Sequence, residues 1–297
     1  MCSIPKANAE RGSASVPLLE VEDLHVEYST PKGVVHAVRG ASLTLGREKL
    51  GIVGESGSGK SQTGRAILRL TGKHARVRAK RLVFRGIDLL GADEATLRSI
   101  RGGRISMVLQ DPKYSLNPVM TVGRQIEEAF RVHRKSSRRE ARRRALAMLE
   151  SVRIRDPERV AKSYPHEVSG GMGQRVMIAM MMIPEPDIII ADEPTSALDV
   201  TVQLQVLAIL DDMVSERGMG LIFISHDLSL VASFCDRVVV MYAGRVVETR
   251  DARDLSNAEH PYTRGLLNCL PSVDAHRGEL PTLERDPAWA RDAGSSV

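Results

Sequence analysis

The sequence predicts an α/β fold built on a doubly wound parallel sheet, and three observations carry that expectation. Gly54-Glu55-Ser56-Gly57-Ser58-Gly59-Lys60-Ser61 stands between a short apolar run, residues 50–53, and a helical segment, residues 61–70. A second apolar run, Ile188-Ile189-Ile190-Ala191, ends in two carboxylates, Asp192 and Glu193. Through the rest of the chain, strand-like and helix-like segments alternate, which is the pattern of parallel strands joined by helical crossovers.

Taken in order, residues 1–17 are polar and read as disordered. Residues 18–45 alternate in β fashion at Leu19, Val21, Leu24 and Val26, then at Val34, Val38 and Leu43. Ser29-Thr30-Pro31-Lys32-Gly33 turns the chain between the two runs. The glycine-rich loop and its helix follow, then strand-like runs at residues 81–85 and 105–109. Residues 118–182 read as an inserted helical region, with turns near Asp156-Pro157 and Tyr164-Pro165. Strand patterns return at 187–191, 221–224 and 237–241. Val202, Val206, Ile209, Leu210 and Met213 recur at helical spacing between them. These patterns divide the chain into a disordered start (1–17), an α/β unit (18–250) and a C-terminal extension (251–297). The extension contains a helix near 262–270 and a loose final stretch.

Composition bounds the function. The chain has 297 residues and is 42% hydrophobic, enough for a sizeable core, but only 3% aromatic, so aliphatic side chains must fill it. No window reaches the ~18 consecutive apolar residues of a membrane helix. The methionine-rich run 176–183 reads as core filler. No apolar leader precedes the first strand, and position 2 is Cys rather than the Gly that myristoylation needs. Cys2, Cys235 and Cys269 are odd in number and far apart, which fits a reduced, cytoplasmic compartment. Net charge is +5. Arg134, Lys135, Arg138, Arg139, Arg142, Arg143 and Arg144 crowd one stretch with only Glu140 opposing. They read as the solvated face of a helix capped by Ser137. With no aromatic interleaved, a nucleic-acid surface is disfavoured.

The loop fits G-x-x-x-x-G-K-[ST], whose glycines turn backbone N–H groups towards phosphate oxygens. The helix that follows adds its partial positive charge. Gly54, Ser56, Gly57, Ser58, Gly59 and Gln62 are the cradle residues. Lys60 can reach the β- and γ-phosphates, and the Ser61 hydroxyl can ligate Mg²⁺. Asp192 emerges where such sheets place ligands and can bind Mg²⁺. Glu193 beside it can polarise a water as general base. Ser169-Gly170-Gly171 is either an anion-binding helix tip or an ordinary glycine-rich cap.

The order of phosphate loop, Gln110, Ser169-Gly170-Gly171, Asp192-Glu193, Ser196-Ala197-Leu198-Asp199 and His226 resembles the ATPase subunit of ABC transporters over residues 18–250. Leu116-Asn117-Pro118, Tyr164-Pro165-His166-Glu167 and His260-Pro261-Tyr262-Thr263-Arg264 resemble the oligopeptide, dipeptide and nickel importers of that family. The resemblance implies a P-loop NTPase, RecA-like core with an antiparallel β subdomain and an inserted α-helical subdomain. It implies ATP and Mg²⁺ as ligands, with Gln110 sensing the metal and the lytic water and touching a membrane subunit. His226 would contact the γ-phosphate, and Asp199 would lie in a loop crossing a dimer interface. Tyr28 would stack on adenine, although a core tyrosine fits that position nearly as well. Ser169 and Gly171 would act on a partner's ATP.

The implied assembly has two integral-membrane permeases, a second ATPase subunit (identical or not) and an extracytoplasmic solute-binding protein. This chain would sit peripherally on the cytoplasmic face of the inner membrane. Peptide is the favoured cargo, with nickel or another small solute as the alternative. A soluble ABC ATPase acting on nucleic acid or ribosomes is the rival from another class, but such proteins usually carry long heptad arms or two nucleotide domains in one chain, and the sequence shows neither. A small-molecule phosphotransferase would leave Ser169-Gly170-Gly171 and His226 without a task. Two departures from the family pattern stand out. Gly173 replaces a usual basic or polar residue and predicts a looser helix tip. Cys269 is alone where many relatives carry a cysteine cluster, so no iron–sulfur centre is expected, as in the shorter nickel-type subunits.

Overall fold

A computed structural model describes residues 16–196 and 198–269, with Asp286 and Trp289 beyond them. The expected disorder of residues 1–17 falls outside these except for Val16 and Pro17. The expected loose tail falls outside them except for Asp286 and Trp289.

Strands β1 (Leu19–Thr30) and β2 (Gly33–Leu45) form a long antiparallel hairpin closed at Thr30 and Gly33. Then come β3 (Lys49–Val53), α1 (Lys60–Ile67), β4 (Ala75–Arg78), β5 (Arg81–Phe84), β6 (Ile87–Asp88), α2 (Glu94–Ile100) and β7 (Ile105–Val108). Five helices follow without an intervening strand: α3 (Pro112–Ser115), α4 (Val122–His133), α5 (Arg138–Ser151), α6 (Pro157–Lys162) and α7 (Gly170–Met182). The chain returns to strand–helix alternation through β8 (Ile188–Asp192), α8 (Val200–Arg217), β9 (Gly220–Ser225), α9 (Leu228–Phe234), β10 (Arg237–Tyr242) and β11 (Arg245–Asp251), and α10 (Pro261–Asn268) follows.

Two sheets result. β2, β1, β5 and β6 lie in that order in an antiparallel sheet, with β4 also on β1. The second runs β11-β10-β3-β9-β8-β7, parallel except where β11 turns back on β10. Its inner strands are apolar on both faces because both are covered. Ile189 and Ala191 of β8 join the core made with α4–α8, whereas Ile188 and Ile190 join the core made with α1 and the antiparallel sheet. β9 divides the same way, with Leu221 and Phe223 on one side and Ile222 and Ile224 on the other. Each such buried side chain contributes about 1.5–3 kcal/mol.

Several expectations shift by a residue or more. The helix after the loop ends at Ile67 rather than Leu70, and Arg69 takes a left-handed φ of 52°. The strand carrying the carboxylates runs one residue further, so Asp192 belongs to it. β4, β6 and β11 gave no readable alternation, being short or half-exposed. The basic run does form a helix: Ser137 Oγ accepts from Glu140 N (3.1 Å), and Glu140 pairs with Arg143 and Arg144. Met177 and Met182 are buried in the core, and Met180 and Met181 pack at its edge. Among the described residues, no helix is long and apolar enough to cross a membrane.

Candidate functional site

Four neighbouring strands, β3, β9, β8 and β7, deliver the candidate groups at their C-terminal ends. The loop leaves β3 at Gly54, where φ is +149° and a Cβ would lie 2.1 Å from Met241 O. At Gly59, φ is +101° and a Cβ would meet Ala37 O at 2.5 Å. Only glycine lets the loop pass between these two carbonyls. Gly57 also has positive φ, but nothing lies within 4 Å of its Cβ position, so this stretch of backbone faces open space. The Ser58 hydroxyl is buried and has no hydrogen-bond partner.

Lys60 opens α1 and is only 5% exposed. Its Nζ donates to Gly54 O (2.7 Å) and Glu55 O (2.8 Å), so the ammonium sits inside the curve of its own loop. Burial pulls its pKa down, and the charges of Glu193, Asp192 and Glu55 oppose that pull. Ser61 Oγ donates to Asp192 Oδ1 at 2.7 Å. Burial raises the Asp192 carboxyl above its ordinary value, against the Ser61 hydrogen bond and the nearby Arg65 and Lys60. Gln62 Oε1 accepts from the Tyr28 hydroxyl at 2.5 Å. Tyr28 is therefore half-buried against the β1 side of the core, with its polar end tied to α1.

Glu193 follows Asp192 at φ 47°, a left-handed backbone that its N–H stabilises by donating to Ile224 O (2.9 Å). That turn lifts its side chain out of the sheet. One carboxylate oxygen lies 3.3 Å from His226 Nδ1, at the end of β9. The other accepts from Gln110 Nε2 at 3.3 Å, just past β7. Gln110 also donates to Ser196 Oγ at 3.3 Å, and Ser196 Oγ donates to Glu193 O at 3.2 Å. Lys60, Ser61, Asp192, Glu193, His226 and Gln110 thus form one neighbourhood of direct contacts and shared charge.

The remaining candidates lie elsewhere. Ser169 caps α7, its hydroxyl accepting from Met172 N (3.4 Å). Gly170 faces open space, and a Cβ on Gly171 would meet Val202 Cγ1 at 2.6 Å. Ser169 and Gly170 line a cavity of about 550 Å³ with Gln110, Pro112, Gly173 and Leu198, and no residue of the phosphate loop reaches it. Asp199 caps α8 by accepting from Val202 N (3.0 Å). Gly173 does not break α7: its N–H donates to Ser169 O (2.8 Å) and the helix continues to Met182. A contact on the loop that sequence reading missed comes from Tyr262, whose hydroxyl accepts from Glu55 N at 3.1 Å. The sequence marks Tyr262 only as part of His260-Pro261-Tyr262-Thr263-Arg264, and nothing in that run points to a loop contact.

As chemistry, the loop offers inward N–H groups and a buried ammonium, a setting for a polyphosphate. Ser61 and Asp192 offer hard oxygen ligands side by side, the donor type a divalent cation of the magnesium class takes. Glu193 and His226 offer a carboxylate and an imidazole within contact of each other.

Residues 38–196 match the model of the ABC transporter family, and residues 247–295 match that of the oligopeptide/dipeptide transporter C-terminal region. The probable peptide ABC transporter ATP-binding protein y4tR of Sinorhizobium fredii is 49% identical over 91% of this chain and 81% of its own length. The oligopeptide transport ATP-binding protein OppD of Salmonella typhimurium is 46% identical over 91% of this chain and 81% of its own. The dipeptide transport ATP-binding protein DppD of Bacillus subtilis is 46% identical over 91% and 82%. Among solved structures, a dimeric ATP-binding cassette in a post-hydrolysis state, bound to ADP and Pi, matches with a TM-score of 0.70 at 27% identity, covering 79% of this chain and 99% of that one. On the extent of these matches and the order of its motifs, this chain belongs to the ABC transporter family.

Proposed function

We propose that this chain is the ATP-hydrolysing subunit of an ABC importer whose cargo is peptide. The reaction is ATP plus water giving ADP and phosphate, coupled to movement of solute through membrane partners. The observation that carries the reading is the cluster in which Lys60, Ser61, Asp192, Glu193, His226 and Gln110 converge from four adjacent strands. The peptide assignment is supported by the names of the relatives and by the C-terminal match over 247–295. The unit that performs the reaction is taken as residues 18–250, with helices in 118–182 and a C-terminal extension beyond.

In this reading the backbone of Gly54, Ser56, Gly57, Ser58 and Gly59 cradles the phosphates, and Lys60 leaves its two loop carbonyls to hold the terminal ones. Gln62 and Tyr28 flank the nucleoside end. Ser61 and Asp192, with Gln110 close by, would hold Mg²⁺, which when bound neutralises charge developing on the phosphates. Burial raises the Asp192 carboxyl, and a cation held there would favour its charged form. Glu193 takes the proton of the attacking water, oriented by Gln110, and His226 faces the terminal phosphate.

Ser169, Gly170, Gly171 and Asp199 are assigned to the ATP of a second subunit packed head to tail. That no phosphate-loop residue reaches the cavity lined by Ser169 and Gly170 supports this. So does the exposure of Val200 (72%) and Leu204 (60%) beside Asp199, apolar surface of the kind a partner covers. The full assembly would have two permeases, two such ATPase subunits and an extracytoplasmic binding protein. This chain would lie peripherally on the cytoplasmic membrane face. Reconstitution with its permeases in vesicles should give ATP-dependent peptide uptake stimulated by the binding protein. Failure to retain ATP at millimolar concentration with a second ATPase subunit supplied would remove the reading.

A further inference from the structure

The bond from Glu55 N to the Tyr262 hydroxyl joins the second residue of the phosphate loop to a helix that follows every other described element. Tyr262 is fully buried. Its ring lies 4.5 Å, centroid to centroid, from that of Tyr242 and 6.1 Å from that of Trp289. The Gly54–Glu55 peptide unit is held at both ends, since its N–H, on Glu55, donates to Tyr262 and its carbonyl, on Gly54, accepts from Lys60 Nζ (2.7 Å).

The segment bearing Tyr262 is itself anchored. The Glu248 side chain, 8% exposed, accepts from Glu259 N (2.8 Å) and His260 N (3.2 Å), and Arg250 Nε donates to it as well. His260 Nδ1 then accepts from Tyr262 N at 3.2 Å, starting α10. A carboxylate on β11, a histidine cap and an aromatic cluster together fix where the Tyr262 hydroxyl stands.

We propose that Tyr262 is a positioning residue for the phosphate loop, holding the Gly54–Glu55 peptide unit in place so that the loop's grip on ATP depends on the docking of the C-terminal segment. This rests on the reading that the loop binds ATP. When Lys60 moves to a phosphate, the Gly54 carbonyl loses that donor, and the N–H at the other end of the same peptide unit, held by Tyr262, keeps the unit from swinging. Docked segment and bound nucleotide therefore favour each other, and by linkage the effect runs both ways.

Tyr262→Phe keeps the buried ring and removes the acceptor. In the full chain without nucleotide, the Glu55 amide should exchange with solvent faster in this variant than in the native chain. The dissociation constant for ATP should rise about three- to tenfold, and KM should rise with it, while kcat at saturating ATP stays within about twofold. Should the variant fold poorly, Glu248→Gln loosens the anchor without touching the ring and should raise the ATP dissociation constant in the same direction by a smaller factor. The single tryptophan, Trp289, gives an independent signal: its emission should change on adding ATP to the native chain. Equal ATP affinity in native and variant chains overturns this proposal alone, as does a fall in kcat with KM unaltered. Absence of ATP binding by the native chain overturns the functional reading and this proposal together.

Discussion

Around Lys60 the chain supplies partners from within itself, and around Ser169 it does not. Two loop carbonyls hold Nζ, Ser61 meets Asp192, and Glu193 touches His226 on one side and Gln110 on the other. The Ser169 hydroxyl caps only its own helix, Gly170 opens on empty space, and the neighbouring start of α8 shows Val200 and Leu204 to solvent. Both tips are glycine-rich and both begin a helix. The difference lies in the third dimension: parallel strands bring carboxylates and histidine to the first, whereas the second stands on the helical segment with a cavity before it. In the proposed reading, the first side is the reaction centre and the second meets another subunit.

The strongest way to break that comparison is Glu193→Gln. Phosphate release at steady state should fall about 10²- to 10⁴-fold, with ATP still bound; normal turnover would show that the assembled side is not the reaction centre. Next comes Gly54→Ala, which places a methyl 2.1 Å from Met241 O at a φ of +149°. It should destabilise the chain by about 2–4 kcal/mol in urea unfolding, and an unchanged midpoint would mean that the loop yields to the added methyl without cost. Ser169→Ala should cost about 1 kcal/mol through the lost cap. It should leave ATP affinity of the single chain alone and slow turnover only when a second subunit is present. Loss of single-chain affinity would place Ser169 on its own nucleotide.

A smaller effect is expected at Gly173. A Cβ there meets Pro112 at an ordinary 3.6 Å, so Gly173→Ala should stabilise α7 by about 0.5–1 kcal/mol; a lower unfolding temperature would show hidden strain. The smallest effect at neutral pH concerns Glu248. Burial pushes its carboxyl up, but the adjacent Thr263 hydroxyl, Arg250 and the amides of Glu259 and His260 outweigh this and bring it down to about 2 from an ordinary 4.5. Thr263 acts by proximity rather than through a hydrogen bond of good geometry. Because the folded value is the lower, the stabilisation is complete above about pH 4.5 and is lost as pH falls towards 2. Trp289 emission followed through acid titration should report the segment loosening in that window, and a flat trace would remove Glu248 from the anchor.

The first side was legible in the sequence because its parts are local patterns. Glycines before Lys60-Ser61 and a strand ending in Asp192-Glu193 announce themselves within a few residues. Asp192 was expected past its strand rather than inside it, since a buried carboxylate breaks the apolar pattern that marks a strand. β4 and β11 are not legible as strands because arginines and half-exposed positions erase period-two alternation. The tie between Glu55 and Tyr262 had no local signature at all: it spans 207 residues, and a tyrosine in a helix carries no mark of where its hydroxyl points.

The place of β3 in its sheet has a consequence for how the chain comes into being. This strand lies between β9 and β10 and pairs with nothing else in the sheet. Residues 49–53 therefore emerge during synthesis long before either neighbour, at 220–225 and 237–242, exists. Until then the run Leu50 to Val53 has no hydrogen-bonded ladder and no second face to bury. Such distant pairing slows folding and leaves apolar strand exposed to other chains. A ribosome-bound fragment stopped before Gly220 should thus be unable to hold nucleotide and should depend on holdase chaperones, with competence arriving abruptly once Tyr242 has cleared the exit tunnel.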